Sequence, residues 1–205
     1  MNKASSMVLP TNRFARRRER TRQELLAAAA HVLAKKGLHD TKISDIAAAA
    51  DVGVGTFYLH FPTKEALFVA VVEETVTRLK ATIDAARVGS RGARDKVRAV
   101  NAALFRFARE NREVFKVVFG HAAAYNDLIR RAQALFIADA EETIREGIAH
   151  GDFVALPPAL VAQAVIGMAT QMISWWTEHE SVPIEQLIET NTTLALHGLS
   201  PAGPA

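Results

Sequence analysis

Apolar residues recur along this chain at the three- and four-residue spacing of amphipathic helices almost from end to end. There is no sustained period-two alternation and no Asn-Gly or Asp-Gly hairpin signal, so strands are not expected. The first long helix is predicted from Arg16 to Lys36. Leu25, Leu26, Ala29, Val32 and Leu33 form its apolar stripe, and Gly37 supplies its left-handed stop. Thr41 is placed as the N-cap of a short second helix that carries Ile43, Ile46, Ala47 and Ala50, with Asp45 near its positive end. Asp51-Val52-Gly53 reads as a tight turn and Val54 to His60 as a third short helix. Pro62 interrupts the chain, and Thr63 caps a fourth helix running to about Ala86.

Val88-Gly89-Ser90-Arg91-Gly92 is the clearest linker. Beyond it the pattern predicts helices from Ala93 to Arg109 and from Arg112 to Phe119, the latter opened by Asn111 and closed by Gly120. Three more follow: Tyr125 to His150, Pro157-Pro158 to His179, and Pro183 to His197, with Gly198 as the last stop. The expected fold is all-α. A basic arm (1–15) precedes a three-helix unit (16–62), a larger helical body (63–198) and a disordered tail (199–205).

Composition narrows the chemistry. The apolar fraction of 49% and the charged fraction of 23% are those of a globular chain. With no cysteine there is no disulfide framework, thiolate zinc site or thiol nucleophile. Met1 to Asn12 lacks the apolar stretch of a signal peptide, which makes a cytoplasmic location the default expectation. Charge is distributed unevenly. Residues 1–64 hold 11 Lys/Arg against 5 Asp/Glu, and six of those arginines lie between Arg13 and Arg22; the remainder is mildly acidic. Such a division suits a polyanion at one end and a different partner at the other.

Two short helices joined by a glycine-containing turn describe a helix-turn-helix. Ile46 and Val52 must pack inward, Ala47 must be small at the crossing, and Gly53 lets the turn be tight. The second short helix then offers its side chains to a DNA major groove.

The whole stretch from Thr41 to Leu67, TKISDIAAAADVGVGTFYLHFPTKEAL, resembles the DNA-binding signature of the tetracycline-repressor (TetR) family. The resemblance begins upstream at Arg22 and takes in Gly37, about a third of the chain. It departs at Asp51, where the family more often has Gly, and at Lys42, where a small hydroxyl residue is common. It implies roles for particular residues. Tyr58 and Lys64 would contact phosphates, the latter helped by the helix N-terminus. Thr56 would bind phosphate or touch a base edge; Val54, Gly55, Leu59 and His60 would lie on or near the recognition surface. Thr41 and Lys42 would approach the DNA backbone from the second helix. Phe57 and Phe61 read as core. Between Val54 and His60 there is no Arg, Asn or Gln for bidentate base contacts, so apolar contacts, water and DNA shape would carry specificity.

Enzymatic readings find little support. Gly53-Val54-Gly55 lacks the third glycine and the preceding strand of a nucleotide loop. The seven histidines are scattered without HExxH, and Glu142 with Glu146 lacks the Glu-x-x-His of a di-iron bundle; no metal or cofactor is expected. Phe153 to Thr177 carries no charge, but its prolines and polar residues argue against a membrane span. The resemblance implies instead that the last two helices build a homodimer, for which Ala169 serves as an interface probe. It also implies an effector cavity in the body. Met168, Met172 and Trp175 share one helix face and, with Phe105 and Phe119, are the candidate lining for an apolar or aromatic effector; Arg106, Arg130 or Arg131 could meet an acidic head group. The reading is a DNA-binding repressor, not an enzyme, released from a double-stranded operator by a small apolar effector. The alternative is a small-molecule-binding protein whose helix-turn-helix no longer reads DNA.

Overall fold

The computed structural model describes residues 13–120, 126–179 and 181–198, which fold as nine helices with no strand among them. The head comprises α1 (Arg13–Asp40), α2 (Ile43–Ala49) and α3 (Val54–His60). The body comprises α4 (Lys64–Arg87), α5 (Ala93–Glu110), α6 (Arg112–Gly120), α7 (Asn126–Ala149), α8 (Pro158–Glu178) and α9 (Ile184–His197). The predicted tail from 199 and the arm up to residue 12 lie outside the described residues.

The first helix begins three residues earlier than the pattern predicts. Arginine favours helix nearly as well as leucine, and Arg20–Glu24 (3.4 Å) and Gln23–Glu19 (2.9 Å) contacts link successive turns. Arg13 to Ala15 are therefore helical and not part of a loose arm. Gly37, at φ 75°, breaks the regular helix before it resumes to Asp40.

Thr41 is not the cap of α2. It is 2% exposed, and its hydroxyl donates to the Gly37 carbonyl at 2.6 Å. Lys42 takes the N-cap position instead, its backbone N–H donating to Asp45 Oδ2 at 3.1 Å. The turn after α2 is a Schellman motif: Val52 N–H donates to Ala47 O and Asp51 N–H to Ala48 O. Its left-handed residue is Asp51, at φ 53°, whereas Gly53 is extended at φ −71° and caps α3. The glycine the turn calls for thus belongs at 51, where this chain has Asp. Asp51→Gly is expected to keep or raise stability, and Asp51→Val to lower it by about 1–2 kcal/mol, because a β-branched side chain is the worst occupant of that region. Urea unfolding of the two variants checks the pair.

The head core is Leu25, Ala29, Leu33, Ile46, Phe57 and Phe61, closed from below by Leu67 and Phe68 of α4 and Val117 of α6. Thr63 opens α4, its hydroxyl accepting from Ala66 N–H at 3.0 Å. A second core joins Phe105 and Ala108 of α5 to Ala169, Ile173 and Trp176 of α8 and Ile184 and Leu187 of α9. Helices α4 and α6 each contribute to the head core and to the body, so the body reaches the head through both. None of the described helices is long and apolar enough to cross a membrane.

Candidate DNA-binding surface and effector cavity

The amphipathic split of α3 sets the first site. Phe57 is fully buried, and its neighbours on the other face are left to solvent: Tyr58 is 55% and Leu59 73% exposed, with Val54 and Gly55 beside them. A Cβ built on Gly55 would meet nothing, so the glycine is not demanded by packing and leaves room for an approaching surface. Thr56 and His60 are half-buried. Burial holds the His60 imidazole below its ordinary pKa, reinforced by Arg18 and Arg22 of α1. That relation also places Arg18 and Arg22 beside the end of the recognition helix. Arg22 lies over the Phe61 ring at 4.7 Å, and the arginine-rich start of α1 widens the basic surface around α3.

Two of the sequence-based assignments change. Thr41 cannot reach a DNA backbone with its side chain, since burial and its bond to Gly37 use the hydroxyl. Lys42 remains exposed. Lys64 donates to the carbonyls of Thr41 (2.8 Å) and His39 (3.2 Å), tying α4 to the α1–α2 connection. It has a fixing role in the head in addition to any phosphate contact through its remaining N–H. Lys64→Met is therefore expected to cost about 1–2 kcal/mol of stability, as two carbonyls lose their donor. Tyr58→Phe should leave unfolding unchanged. Thermal melts separate the two.

The second site is a cavity of about 180 Å³ in the body. Its walls are the inward stripes of α4 (Val72, Val76, Leu79, Ile83), α5 (Val97, Val100, Leu104), α6 (Val114, Phe115, Val118, Phe119), α7 (Ile129, Phe136) and α8 (Ile166, Ala169, Thr170, Ile173). Of the five residues assigned to it from sequence, the lining includes only Phe119. Phe105 is fully buried in the α5–α8–α9 core. Met168 and Met172 are half-buried outside the lining, Met172 sulfur accepting from Asn191 Nδ2–H at 3.3 Å beneath α9. Trp175 is 47% exposed and stacks on His179 at 4.0 Å. Trp176 is the internal one, its indole N–H donating to Val182 O at 2.9 Å. The cavity face of α8 thus carries Ile and small residues, and side-chain size pointed to the wrong face. Ala169 lines the cavity and is unsuitable as an interface probe. Arg106, Arg130 and Arg131 are exposed; the cations lining the cavity are Arg87 and Lys96, which the sequence reading missed.

Comparison with known proteins identifies this architecture. Residues 25–71 match the bacterial regulatory proteins of the tetR family, and residues 90–199 match the tetracyclin repressor-like C-terminal domain. The chain belongs to the TetR family. It is 24% identical over 191 residues to the HTH-type transcriptional activator FasR of Mycolicibacterium smegmatis, covering 89% of this chain and 84% of FasR. Among solved structures it superposes on the fatty acid degradation regulator FadR of Bacillus halodurans with a TM-score of 0.81, at 23% identity, over 87% of this chain and 96% of that one. FadR of Bacillus subtilis, solved in complex with stearoyl-CoA, gives a TM-score of 0.79 at 20% identity, over 87% of this chain and 99% of that one. As a TetR-family member the chain is a DNA-binding transcription regulator, and FasR and the two FadR proteins are regulators by name.

Proposed function

We propose that this TetR-family chain is a homodimeric repressor that leaves its operator when a largely apolar small molecule fills the body cavity. The observation that carries the reading is the position of α6. Its Val117 is buried in the head core with α1, while Val114, Phe115, Val118 and Phe119 wall the cavity. A ligand that pushes on this wall moves a helix packed on the DNA-binding head. Helix α4 does the same along its length, with Phe68 in the head core and Val72 to Ile83 on the cavity. A ligand that prefers the arrangement with misplaced recognition helices shifts the population away from DNA.

Pairing through α8 and α9 supplies the second head. Helix α8 leaves a stripe uncovered by its own chain, with Leu160, Gly167, Gln171 and Trp175 exposed along it. A two-fold dimer would set two α3 helices about 34–36 Å apart on successive major grooves. The exposed Tyr58 face of α3 favours this reading over a body-only binding protein.

Nuclease footprinting on the DNA upstream of the chain's own gene tests the proposal. Protection of a near-palindrome is expected. It should fade with compounds that displace N-phenyl-1-naphthylamine, a neutral apolar fluorophore, from the body. Absence of fluorophore binding, or protection unaffected by compounds that do displace it, overturns the proposal.

A further inference from the structure

We propose a further small-molecule site in the groove between α1 and the joint of α5 and α6, one that takes an organic cation with N–H donors, an amine or a guanidinium. It is separate from the body cavity and stands whether or not that cavity takes an effector.

The groove has a volume of about 400 Å³, within the range of small-molecule sites. One wall belongs to the head: Leu26, Ala27 and Ala30 of α1. The other walls are α4 between Val71 and Arg78, and the turn where α5 ends and α6 begins. Three carboxylates and three guanidiniums line the space, and most are engaged outside it. Arg109 is 3.2 Å from Glu185 of α9, Arg112 donates to the Thr177 carbonyl of α8, and Glu113 is 2.8 Å from His31. Arg78 lies over the Phe107 ring at 5.6 Å. Glu74 and Glu110 have no ion-pair or hydrogen-bond partner among the described residues. Two unpaired carboxylates against the one guanidinium of Arg78 leave the groove with an excess of negative charge.

Asn111 adds a third acceptor, and it is a built one. Its side chain is nine-tenths buried where α5 gives way to α6. Its Nδ2 donates to the Phe107 carbonyl at 2.8 Å, which fixes the orientation of the amide. Its Oδ1 receives no hydrogen bond among the described residues and is not sealed from solvent, so it opens on the groove that Asn111 lines. A set of two carboxylates and an amide oxygen holds N–H donors, and holds them best when the donor is charged. An anion or a ligand made only of acceptors meets the wrong partners there.

The position gives such a site a consequence. A ligand in the groove touches α1 directly, so its occupancy bears on the head without passing through the body core. Thr75 and Val114 line both the groove and the body cavity, which makes them a shared wall through which filling one space is felt in the other.

Isothermal titration calorimetry of the full-length protein with agmatine, which carries a guanidinium and an amine, tests the site. Tetramethylammonium, a cation without N–H donors, is the comparison. Agmatine should bind at least about tenfold more tightly, the lower range for hydrogen bonds to a charged group. Glu74→Gln should lower agmatine affinity by a similar factor while its circular dichroism melt matches the wild type. Should that variant fail to fold, Glu110→Gln, at the exposed end of α5, takes its place with the same expectation. No agmatine binding at millimolar concentration, equal binding of tetramethylammonium, or a folded glutamine variant with wild-type affinity overturns the proposal.

Discussion

A Gly167→Arg chain is expected to fold at least as well as the wild type and to sediment as a monomer. Gly167 is exposed within α8, and a Cβ added there meets nothing within 4 Å. Arginine in a helix interior is also favoured over glycine by about 0.8–1 kcal/mol. In the proposed dimer the same position is covered by the second copy, where an unpaired buried charge costs about 3–5 kcal/mol. Operator affinity should then fall about 100-fold or more, because each head must bind alone. Sedimentation equilibrium beside a urea melt reads both halves of the prediction. A variant that remains dimeric would remove the exposed α8 stripe from the interface.

Phe105→Ala is expected to cost about 3–5 kcal/mol, the range for truncating a fully buried aromatic. Phe105 is 0% exposed and packs among Ala169, Ile173, Trp176 and Leu187, off the cavity. Thermal unfolding of the variant should therefore be severely shifted. Trp175→Ala, by contrast, should leave both stability and effector binding nearly unchanged, since the ring lies outside the cavity lining and half in solvent. A cheap Phe105→Ala or a ligand-blind Trp175→Ala would return these residues to the effector site.

The helices were legible because their ends carry local chemistry. Thr63 caps α4, Gly198 at φ 64° stops α9, and Leu25, Leu26, Ala29, Val32 and Leu33 are buried as their spacing requires. The head was legible for a further reason: Ile46, Ala47, Phe57 and Phe61 can pack in few other ways once the turn between α2 and α3 is fixed. The turn itself was read only in part, since Asp51 and not Gly53 supplies the left-handed residue. The cavity was not legible. A cavity is a space between five helices, and periodicity gives each helix an inner face without telling which inner residues touch one another. On α8 the large side chains Met168, Met172 and Trp175 drew attention, while Ile166, Ala169, Thr170 and Ile173 form the wall. Arg87 and Lys96 were hidden for a related reason. Each looks like a solvated charge at a helix end, and only the packing of α4, α5 and α7 turns them toward a common space.

Fluorescence anisotropy of two labelled duplexes at matched salt, one from the footprinted region upstream of the gene and one of scrambled sequence, tests the central claim most directly. The account predicts that the wild-type chain prefers the first by at least about 10³-fold, the lower range for specific recognition. Tyr58→Phe should weaken both duplexes alike, as a phosphate contact carries no sequence information. Equal affinity of the wild type for both duplexes would contradict a sequence-reading regulator.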